Sequence, residues 1–313
     1  MKSISFTQQG GRPYQEDYLY SNPEIGLYLV CDGVGGSAKG DVASQNVVDT
    51  IRNLVEAETI IPIDEPSVQE LVTAAQNSLL EKVKAEPEME GMGTTLTLLY
   101  IHDNGATVAH IGDSRVYFVR PSASKYWRTK DHSLVQELFD SDVLKTEEVM
   151  ETHPMRNRIT RALQGKTGAK SVKADVQLIS NLTKGDLFFL CSDGVLEPYT
   201  ADSFIDILSN TTIDIEARLK EIKGDCSAKS KDNNTCILVE LTNSIEELDP
   251  TTDLITWRSI PSAVENIVKE KKELEHAKVD EKEDINYFKA LLYLLLILII
   301  GYCCFNYLPS LFN

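Results

Sequence analysis

Two long amphipathic stretches follow one another in the first third of the chain, at residues 41–57 and 67–84, without a strand-like run between them. Apolar residues recur there every three or four positions, which predicts helices. Short apolar runs typical of strands flank this pair on both sides, and Asn104-Gly105 predicts a hairpin between two of them. Helices that are consecutive in sequence argue against a strict βαβ repeat, so we expect layered antiparallel sheets covered by helix pairs.

Short apolar runs with the length and composition of strands recur throughout the first 242 residues. They lie at residues 3–7, 26–31, 94–101, 106–111, 116–120, 172–179, 186–191 and 235–241. Strands and helices occur in groups and do not alternate, which is typical of the α+β class. We therefore expect one α+β domain over residues 1–242.

The charge of the chain limits the classes of partner that it can bind. Its formal net charge is −17 at pH 7, and nucleic-acid binding needs a basic face, so we expect no nucleic-acid partner. An excess of carboxylates is compatible with divalent cations, although most acidic chains use it only for solubility. The six cysteines are too few for a disulfide scaffold, and no C-x-x-C pair occurs.

The composition changes sharply after the predicted domain. Residues 243–286 are polar and charged with both signs, which indicates a partly helical linker. Residues 290–305 are strongly apolar, and extension to 287–308 reaches the roughly 20 residues that a bilayer-crossing helix needs; a tail follows at 309–313. A buried core helix is the weaker alternative, because the run is apolar all round.

The flanking charges orient the predicted transmembrane helix. Lys282 precedes it, Lys289 lies near its N-terminal end and no Lys or Arg follows, so the positive-inside rule places the domain in the cytoplasm. The start of the chain lacks the apolar segment of a signal peptide. We expect a single-pass protein of the cytoplasmic membrane whose large domain faces the cytoplasm.

Aspartates next to glycines recur where apolar runs end. The pairs are Asp32-Gly33, Gly112-Asp113 and Asp193-Gly194. One such pair is a common turn, but three of them, with Asp232 before a strand and the acidic pair Glu16-Asp17, indicate a site. The histidines are scattered without zinc spacing, so the candidate ligands are oxygens, which favours Mg²⁺ or Mn²⁺ over zinc.

An ordered set of short motifs accompanies these acids. They are Gly11–Asp17 (GRPYQED), Val30–Gly36 (VCDGVGG), Gly93–Thr95 (GTT), Ile111–Arg115 (IGDSR), Asp131–Leu134 (DHSL), Asn157–Leu163 (NRITRAL), Cys191–Val195 (CSDGV) and Asp232-Asn233. In this order and spacing the chain resembles the metal-dependent Ser/Thr protein phosphatases of type 2C, the PPM family, in their compact bacterial form. The resemblance implies an α-β-β-α sandwich of two antiparallel sheets flanked by helix pairs.

The resemblance also implies a ligand set for two metal ions, with a position for a third. Asp32 resembles the carboxylate that bridges two ions, and the backbone carbonyl of Gly33 resembles a ligand of one of them. Asp193 and Asp232 resemble ligands of the other ion. Asp113, together with Asp193, matches the third position of bacterial members. The implied cofactors are two Mg²⁺ or Mn²⁺ ions per domain, with room for a third.

Three further residues take roles by the same resemblance. Asp17 is expected to orient metal-bound water, with Glu16 as a weaker candidate, and Arg12 is expected to clamp the substrate phosphate. The implied reaction is hydrolysis of phosphoserine and phosphothreonine in proteins by a metal-bridging hydroxide, without a covalent intermediate. The implied partners are phosphorylated proteins and a Ser/Thr kinase or its substrates. The alternative is a catalytically silent, membrane-tethered module that binds phosphoproteins or a kinase.

A few positions leave the interpretation open. Val34 stands where many eukaryotic members carry a histidine, so the group that protonates the leaving oxygen is not identified. Residues 140–158 correspond to the variable flap of the family, with substrate gating and a plain surface loop as alternatives. His132 is expected to be structural. Arg161 either supports the acidic centre or pairs on the surface.

Overall fold

The computed structural model describes residues 1–34, 39–245 and 255–260. Its strands, in chain order, are β1 (Lys2–Gln8), β2 (Tyr18–Asn22), β3 (Leu27–Cys31), β4 (Gly33–Val34), β5 (Met92–Thr94), β6 (Leu96–His102), β7 (Gly105–Ile111), β8 (Arg115–Arg120), β9 (Lys125–Arg128), β10 (Leu163–Gly165), β11 (Asp175–Ile179), β12 (Leu187–Cys191), β13 (Asn234–Glu240) and β14 (Arg258–Ser259). The helices are α1 (Gly40–Glu56), α2 (Glu65–Ala85), α3 (Leu134–Asp140), α4 (Glu147–Thr152), α5 (Ala201–Ser209) and α6 (Ile215–Lys229).

The strands form two large antiparallel sheets and one small one. The first sheet has the order β1-β13-β12-β8-β9-β14, and the second has the order β11-β7-β6-β3-β2. A three-stranded sheet, β10-β5-β4, lies beside them. The predicted hairpin at Asn104-Gly105 joins β6 to β7, with His102 opposite Gly105.

Side-chain alternation explains why the two large sheets stack. Along β12, Phe188 and Leu190 pack between the sheets, whereas Leu187 and Phe189 pack against the α5 and α6 layer. The rings of Phe118 and Phe188, which are cross-strand neighbours on the inner face of the first sheet, stack with their centroids 4.7 Å apart. Both faces of such a strand are buried, which stabilises the fold by about 1.5–3 kcal/mol for each large apolar side chain.

The second sheet is covered on its outer face by the helix pair that the sequence predicts. In β3, Leu27, Leu29 and Cys31 belong to the same apolar cluster as residues of α1 and α2. The expected α-β-β-α arrangement of two antiparallel sheets between helix pairs is therefore confirmed for the described residues.

Some predicted bounds differ from the observed ones, and side chains supply the reason. Helix α2 begins at Glu65, before the predicted residue 67, because the Asp64 side chain accepts a hydrogen bond from the Ser67 backbone N–H in a capping box. The strand predicted at 172–179 begins only at Asp175. Before it, the Gln76 amide of α2 pairs with the Lys170 carbonyl and the Val172 N–H, at 3.1 Å each.

The compact unit runs from Met1 to Ile260. It therefore extends past residue 242, the predicted end of the domain. Ile255 is buried among the residues between the sheets, and Trp257 packs on the same cluster. Strand β14 then pairs with the edge strand β9, with Arg258 opposite Tyr126. Arg258 and Ser259 thus form the last strand of the first sheet.

The transmembrane helix predicted at 287–308 and most of the linker predicted at 243–286 lie outside the described residues. Among the helices in the described ranges, none combines the length and the apolar composition that a bilayer crossing requires.

Candidate metal centre

Strand register explains how distant aspartates meet at one end of the two sheets. Tyr18 of β2 pairs with Cys31 of β3, so Asp17 and Asp32, which flank this pair, are neighbours. Cys191 of β12 pairs with Cys236 of β13, which places Asp193 just beyond the end of one strand and Asp232 just before the other. Asp113 occupies the short connection between β7 and β8.

The backbone of Asp32 is held by two threonines. The Asp32 N–H donates to Thr95 Oγ1 at 2.9 Å, and its carbonyl accepts from the Thr95 N–H and from Thr94 Oγ1 at 2.8 Å each. Both threonines are fully buried. These bonds interrupt the strand predicted at 94–101 at residue 95, and they fix the direction of the Asp32 carboxylate.

Gly33 brings a second chain segment close to the cluster. A Cβ at this position would lie 2.4 Å from the backbone of Gly40, so only glycine allows the first residue of α1 to approach. The Gly33 N–H donates to the Glu16 carbonyl at 3.1 Å. The Gly33 backbone is therefore held next to Asp32 and to the acidic pair Glu16-Asp17.

Burial and the charges of neighbouring acids raise the pKa values of the clustered carboxyls. The pKa of Asp32 lies well above its ordinary value, first because of burial and then because of the charges of Asp17, Asp193, Asp113 and Asp232. Burial, followed by the charge of Asp193, raises the pKa of Asp113 to about 8. Like charges gathered in a buried place favour a bound cation.

Several carboxylate oxygens in this cluster lack a hydrogen-bond donor. Asp17 Oδ1, Glu16 Oε1 and Asp193 Oδ1 are buried and have no hydrogen-bond partner within the described residues. Orphaned anionic oxygens at a cluster of acids, next to a glycine carbonyl, are the donors that hard divalent cations prefer. The residues present therefore fit Mg²⁺ or Mn²⁺.

Arg12 lies on the rim of the cluster. One of its Nη atoms is 2.5 Å from Asp232 Oδ2, and 55% of its side chain is exposed. The hydrogen bond to Asp232 is the first cause of the raised pKa of Arg12, followed by the charge of the same carboxylate. A half-exposed guanidinium beside the acids can meet an incoming phosphate.

Asn233 holds the loop that carries Arg12. Its Oδ1 accepts from the Glu16 N–H at 2.8 Å, and its Nδ2 donates to the carbonyls of Gln9 and Tyr14 at 2.7 and 2.9 Å. The side chain is 4% exposed. The sequence shows this residue only as the neighbour of Asp232, so its function in the loop could not be predicted without the fold.

Ser192 is a second residue whose role the sequence does not reveal. Its Oγ donates to Asp17 Oδ2 at 2.7 Å and accepts from the Thr235 N–H at 3.0 Å. The bond leaves the other Asp17 oxygen, Oδ1, directed to the cluster without a donor. Ser192 therefore sets the orientation of the Asp17 carboxylate.

The predicted flap borders the same cluster. Helices α3 and α4 lie between Ser133 and Ile159, which form an isolated bridge. A cavity of about 180 Å³ is lined by Glu147 and Met150 of α4 together with Asp113 and Asp193. Gating by this segment remains a prediction.

An Asn233→Asp substitution tests how the Arg12 loop is held. Aspartate cannot donate to the carbonyls of Gln9 and Tyr14, so we expect a loss of about 1–3 kcal/mol in the free energy of unfolding. We also expect a KM for phosphorylated substrates that is higher by roughly tenfold. Asn210→Asp is the matched control, because Asn210 Oδ1 only accepts hydrogen bonds, from Thr212. Equal effects of the two substitutions in denaturant melts and steady-state kinetics would contradict this function of Asn233.

The two-sheet sandwich and the carboxylate cluster at its end are those expected of metal-dependent phosphatases. A family model described as protein phosphatase 2C matches residues 7–221. The chain therefore belongs to the protein phosphatase 2C family.

Curated relatives carry names of the same kind. The chain is 34% identical over 203 residues to the serine/threonine protein phosphatase PstP of Mycobacterium tuberculosis, a match that covers 63% of this chain and 36% of that protein. The chain thus spans about a third of that relative. It is 31% identical over 224 residues to the serine/threonine phosphatase stp of Listeria innocua, which covers 68% of this chain and 84% of that protein.

A solved structure shows the same fold. The catalytic domain of PstP in complex with two manganese ions superposes with a TM-score of 0.64 and 27% sequence identity. The superposition covers 78% of this chain and 98% of that one.

Proposed function

We propose that this chain hydrolyses phosphoserine and phosphothreonine in proteins, with Mg²⁺ or Mn²⁺ as cofactor and without a covalent intermediate. One observation carries the proposal: five aspartates from separate strand ends meet in one cluster, beside a half-exposed arginine, with carboxylate oxygens left unpaired. The five are Asp17, Asp32, Asp113, Asp193 and Asp232.

The ligands of two cations in this proposal are Asp32, the Gly33 carbonyl, Asp193 and Asp232, and Asp113 adds a third position with Asp193. When bound, the cations supply hydroxide near neutral pH and offset the charge of the phosphate. Asp17, oriented by Ser192, aligns the attacking water through its unpaired oxygen. Glu16 offers a buried unpaired oxygen for the same purpose.

Arg12 binds the phosphate oxygens in this proposal. A planar guanidinium donates two parallel hydrogen bonds to a phosphate, which an ammonium cannot do. Its present partner, Asp232, leaves Arg12 at the rim of the acidic cluster, where the guanidinium would bind the scissile phosphate. It would thereby stabilise the charge that develops on the phosphate oxygens in the transition state.

Water attacks directly in this proposal, and the two cysteines closest in sequence to Asp32 and Asp193 are unsuited to act as nucleophiles. Cys31 and Cys191 have no exposed surface, and burial is the first cause of the rise in the pKa of each thiol. A thiol that stays protonated in an apolar strand is inert. The two cysteines are therefore core residues.

Phosphate release from phosphopeptides by the full chain, with and without Mn²⁺, tests the proposal. Hydrolysis that depends on Mn²⁺ and stops with EDTA is the expected result. Binding of phosphopeptide without any release of phosphate would instead support the silent binding module.

The pH dependence of stability gives a separate prediction. Without cations, burial raises the pKa of Asp193 to about 6, of Asp17 to about 7 and of Asp113 to about 8. The folded chain then binds protons more tightly than the unfolded chain, so this stabilisation is complete below about pH 4 and is lost as the pH rises through these values. In EDTA we expect a lower Tm at pH 8 than at pH 5, and a larger gain from Mn²⁺ at pH 8.

The Asp113→Asn variant is the control for this prediction, because it removes one of the titrating carboxyls. Its Tm in EDTA should fall less between pH 5 and pH 8 than that of the parent chain. A parent Tm in EDTA that is equal or higher at pH 8 would contradict the electrostatic description of the cluster.

The membrane anchor and the cytoplasmic orientation belong to the proposal on the sequence alone. The largely apolar run at 287–308, with Lys282 before it and Lys289 near its start, would tether the phosphatase domain to the cytoplasmic face of the membrane. A Ser/Thr kinase or its phosphorylated substrates at that membrane would be the partners. We expect the chain to sediment with membranes and a chain without residues 287–313 to stay in the supernatant; a truncated chain that still sediments would contradict the anchor.

A further inference from the structure

His132, which the fold buries, makes two hydrogen bonds to the glycine that precedes Asp113. Its Nδ1 accepts from the Gly112 N–H at 3.0 Å, and its own backbone N–H donates to the Gly112 carbonyl at 2.8 Å. The residue is 7% exposed. The backbone on both sides of Gly112 is therefore tied to one residue.

The backbone conformation of Gly112 and the space around it suit only glycine. Its φ is +101°, and a Cβ would lie 2.5 Å from the Thr95 side chain. Thr95 is the residue that binds the backbone of Asp32. The turn that carries Asp113 thus lies between Thr95, which binds the Asp32 backbone, and His132.

The same histidine joins the two ends of the flap. The Thr160 N–H donates to the His132 carbonyl at 2.8 Å, and the Leu134 N–H donates to the Arg158 carbonyl at 2.9 Å. Ser133, the residue after His132, caps helix α3 by accepting from the Gln136 N–H. A shift of His132 would therefore move the base of the flap together with the Asp113 turn.

The hydrogen bond from Gly112 also determines the tautomer of the ring. Because Nδ1 accepts, the proton of the neutral imidazole is on Nε2, which lies 3.2 Å from Asp175 Oδ2. The other oxygen of Asp175 is 2.5 Å from Arg161 Nη1. Arg161 thus pairs at the surface and reaches the ring only through Asp175.

The ring of His110 stacks on that of His132, with the centroids 4.4 Å apart. His110, His132 and Asp175 offer ligand atoms within 4.8 Å of one another, as in a metal site. The tautomer argues against that function, because His132 Nε2 could bind a metal only if it lost its proton while Nδ1 still accepts from Gly112. Burial is the first cause of the lowered pKa of His132, which also keeps the ring neutral.

We propose that His132 is a positioning residue: through Gly112 it fixes the Asp113 carboxylate at the metal centre, and the negative charge of Asp175 beside Nε2 favours the tautomer that this requires. The inference rests on the proposed function only for the assignment of Asp113 as a metal ligand. His132 does not touch the substrate or the reacting atoms.

Two substitutions of His132 test the functions of its two ring nitrogens separately. In His132→Asn, the amide oxygen can replace Nδ1 as the acceptor for Gly112, whereas in His132→Gln the longer side chain reaches the position of Nε2, near Asp175, and does not accept from Gly112. We expect His132→Gln to weaken the weakest Mn²⁺ site of the full chain by about tenfold or more, and His132→Asn to weaken it much less. Calorimetric Mn²⁺ titration measures this, and amide hydrogen exchange at Gly112 should be accelerated only in His132→Gln.

The exchange measurement requires neither metal nor activity. If neither variant binds Mn²⁺ and the parent chain does not either, the proposed function fails, whereas exchange at Gly112 still tests the contact. Equal Mn²⁺ affinities and equal exchange in the two variants would overturn the inference. Should His132→Gln not fold, Asp175→Asn replaces it, since it removes the negative charge that favours a proton on Nε2, together with the ion pair between Asp175 and Arg161. An unchanged weakest Mn²⁺ site and unchanged Gly112 exchange in that variant would overturn the inference as well.

Discussion

Replacement of Asp193 by Asn is expected to lower kcat/KM for phosphopeptides by about 10³-fold or more, which corresponds to about 4 kcal/mol of lost transition-state stabilisation. Asparagine keeps the size of the side chain but removes a charge that the proposed cations need. Burial, and then repulsion by Asp232 and Glu197, raise the pKa of Asp193, so its charge is costly when no cation is bound. In EDTA we therefore expect the variant to be at least as stable as the parent chain, although it is inactive.

This opposite effect on activity and stability distinguishes a ligand from a structural residue. Phosphate release and thermal melts in EDTA are the two measurements. Asp103→Asn is the control, because Asp103 is an exposed acid in the β6–β7 turn, at the other end of β7 from Gly112, and it should leave both unchanged. An Asp193→Asn chain that retained its activity, or that lost activity only by unfolding, would contradict the proposed site.

Replacement of Arg12 by Ala is expected to lower kcat/KM by about 10²-fold, because the phosphate loses its guanidinium partner in the transition state. Arg12→Lys should recover only part of this loss, since an ammonium cannot donate two parallel hydrogen bonds. Mn²⁺ affinity should stay the same or increase, because Arg12 now pairs with Asp232, one of the proposed ligands.

Kinetics together with Mn²⁺ titration check this prediction. Lys2→Ala removes an exposed ion pair with Glu216 and serves as the control for loss of a surface cation. If Arg12→Ala weakened Mn²⁺ binding as strongly as it lowered activity, Arg12 would support the ligand set and would not bind phosphate.

Local patterns in the sequence predict much of the fold because they follow directly from periodicity. The helix pair at α1 and α2 and the hairpin at Asn104-Gly105 are both confirmed. Strand β2 was not predicted, since its residues are only half-buried and it is recognised by its pairing with β3. Strands β4 and β10 each pair with β5 in the small sheet, so their short pairings also depend on the assembled fold.

The candidate site, like the fold, could be predicted from local patterns only in part. Four of the five aspartates could be selected because each lies near the end of a predicted strand, and Asp17 through its acidic pair with Glu16. Their convergence depends on strand order, in particular on the pairing of Cys191 with Cys236. Asn233, Ser192 and His132 act through hydrogen bonds to residues far along the chain. No spacing in the sequence predicts such bonds, so their functions emerge only from the structure.

Binding of manganese by the full chain is the most direct test of the central claim, which is that Asp32, Asp193 and Asp232 form one centre for at least two divalent cations. Equilibrium titration followed by the paramagnetic signal of free Mn²⁺ counts the ions bound to the parent chain and to Asp32→Asn. We predict at least two ions in the parent chain and loss of this binding in Asp32→Asn, with phosphate release lost in parallel. A parent chain that binds no Mn²⁺ or Mg²⁺, or an Asp32→Asn chain that binds as many ions as the parent, would contradict the claim.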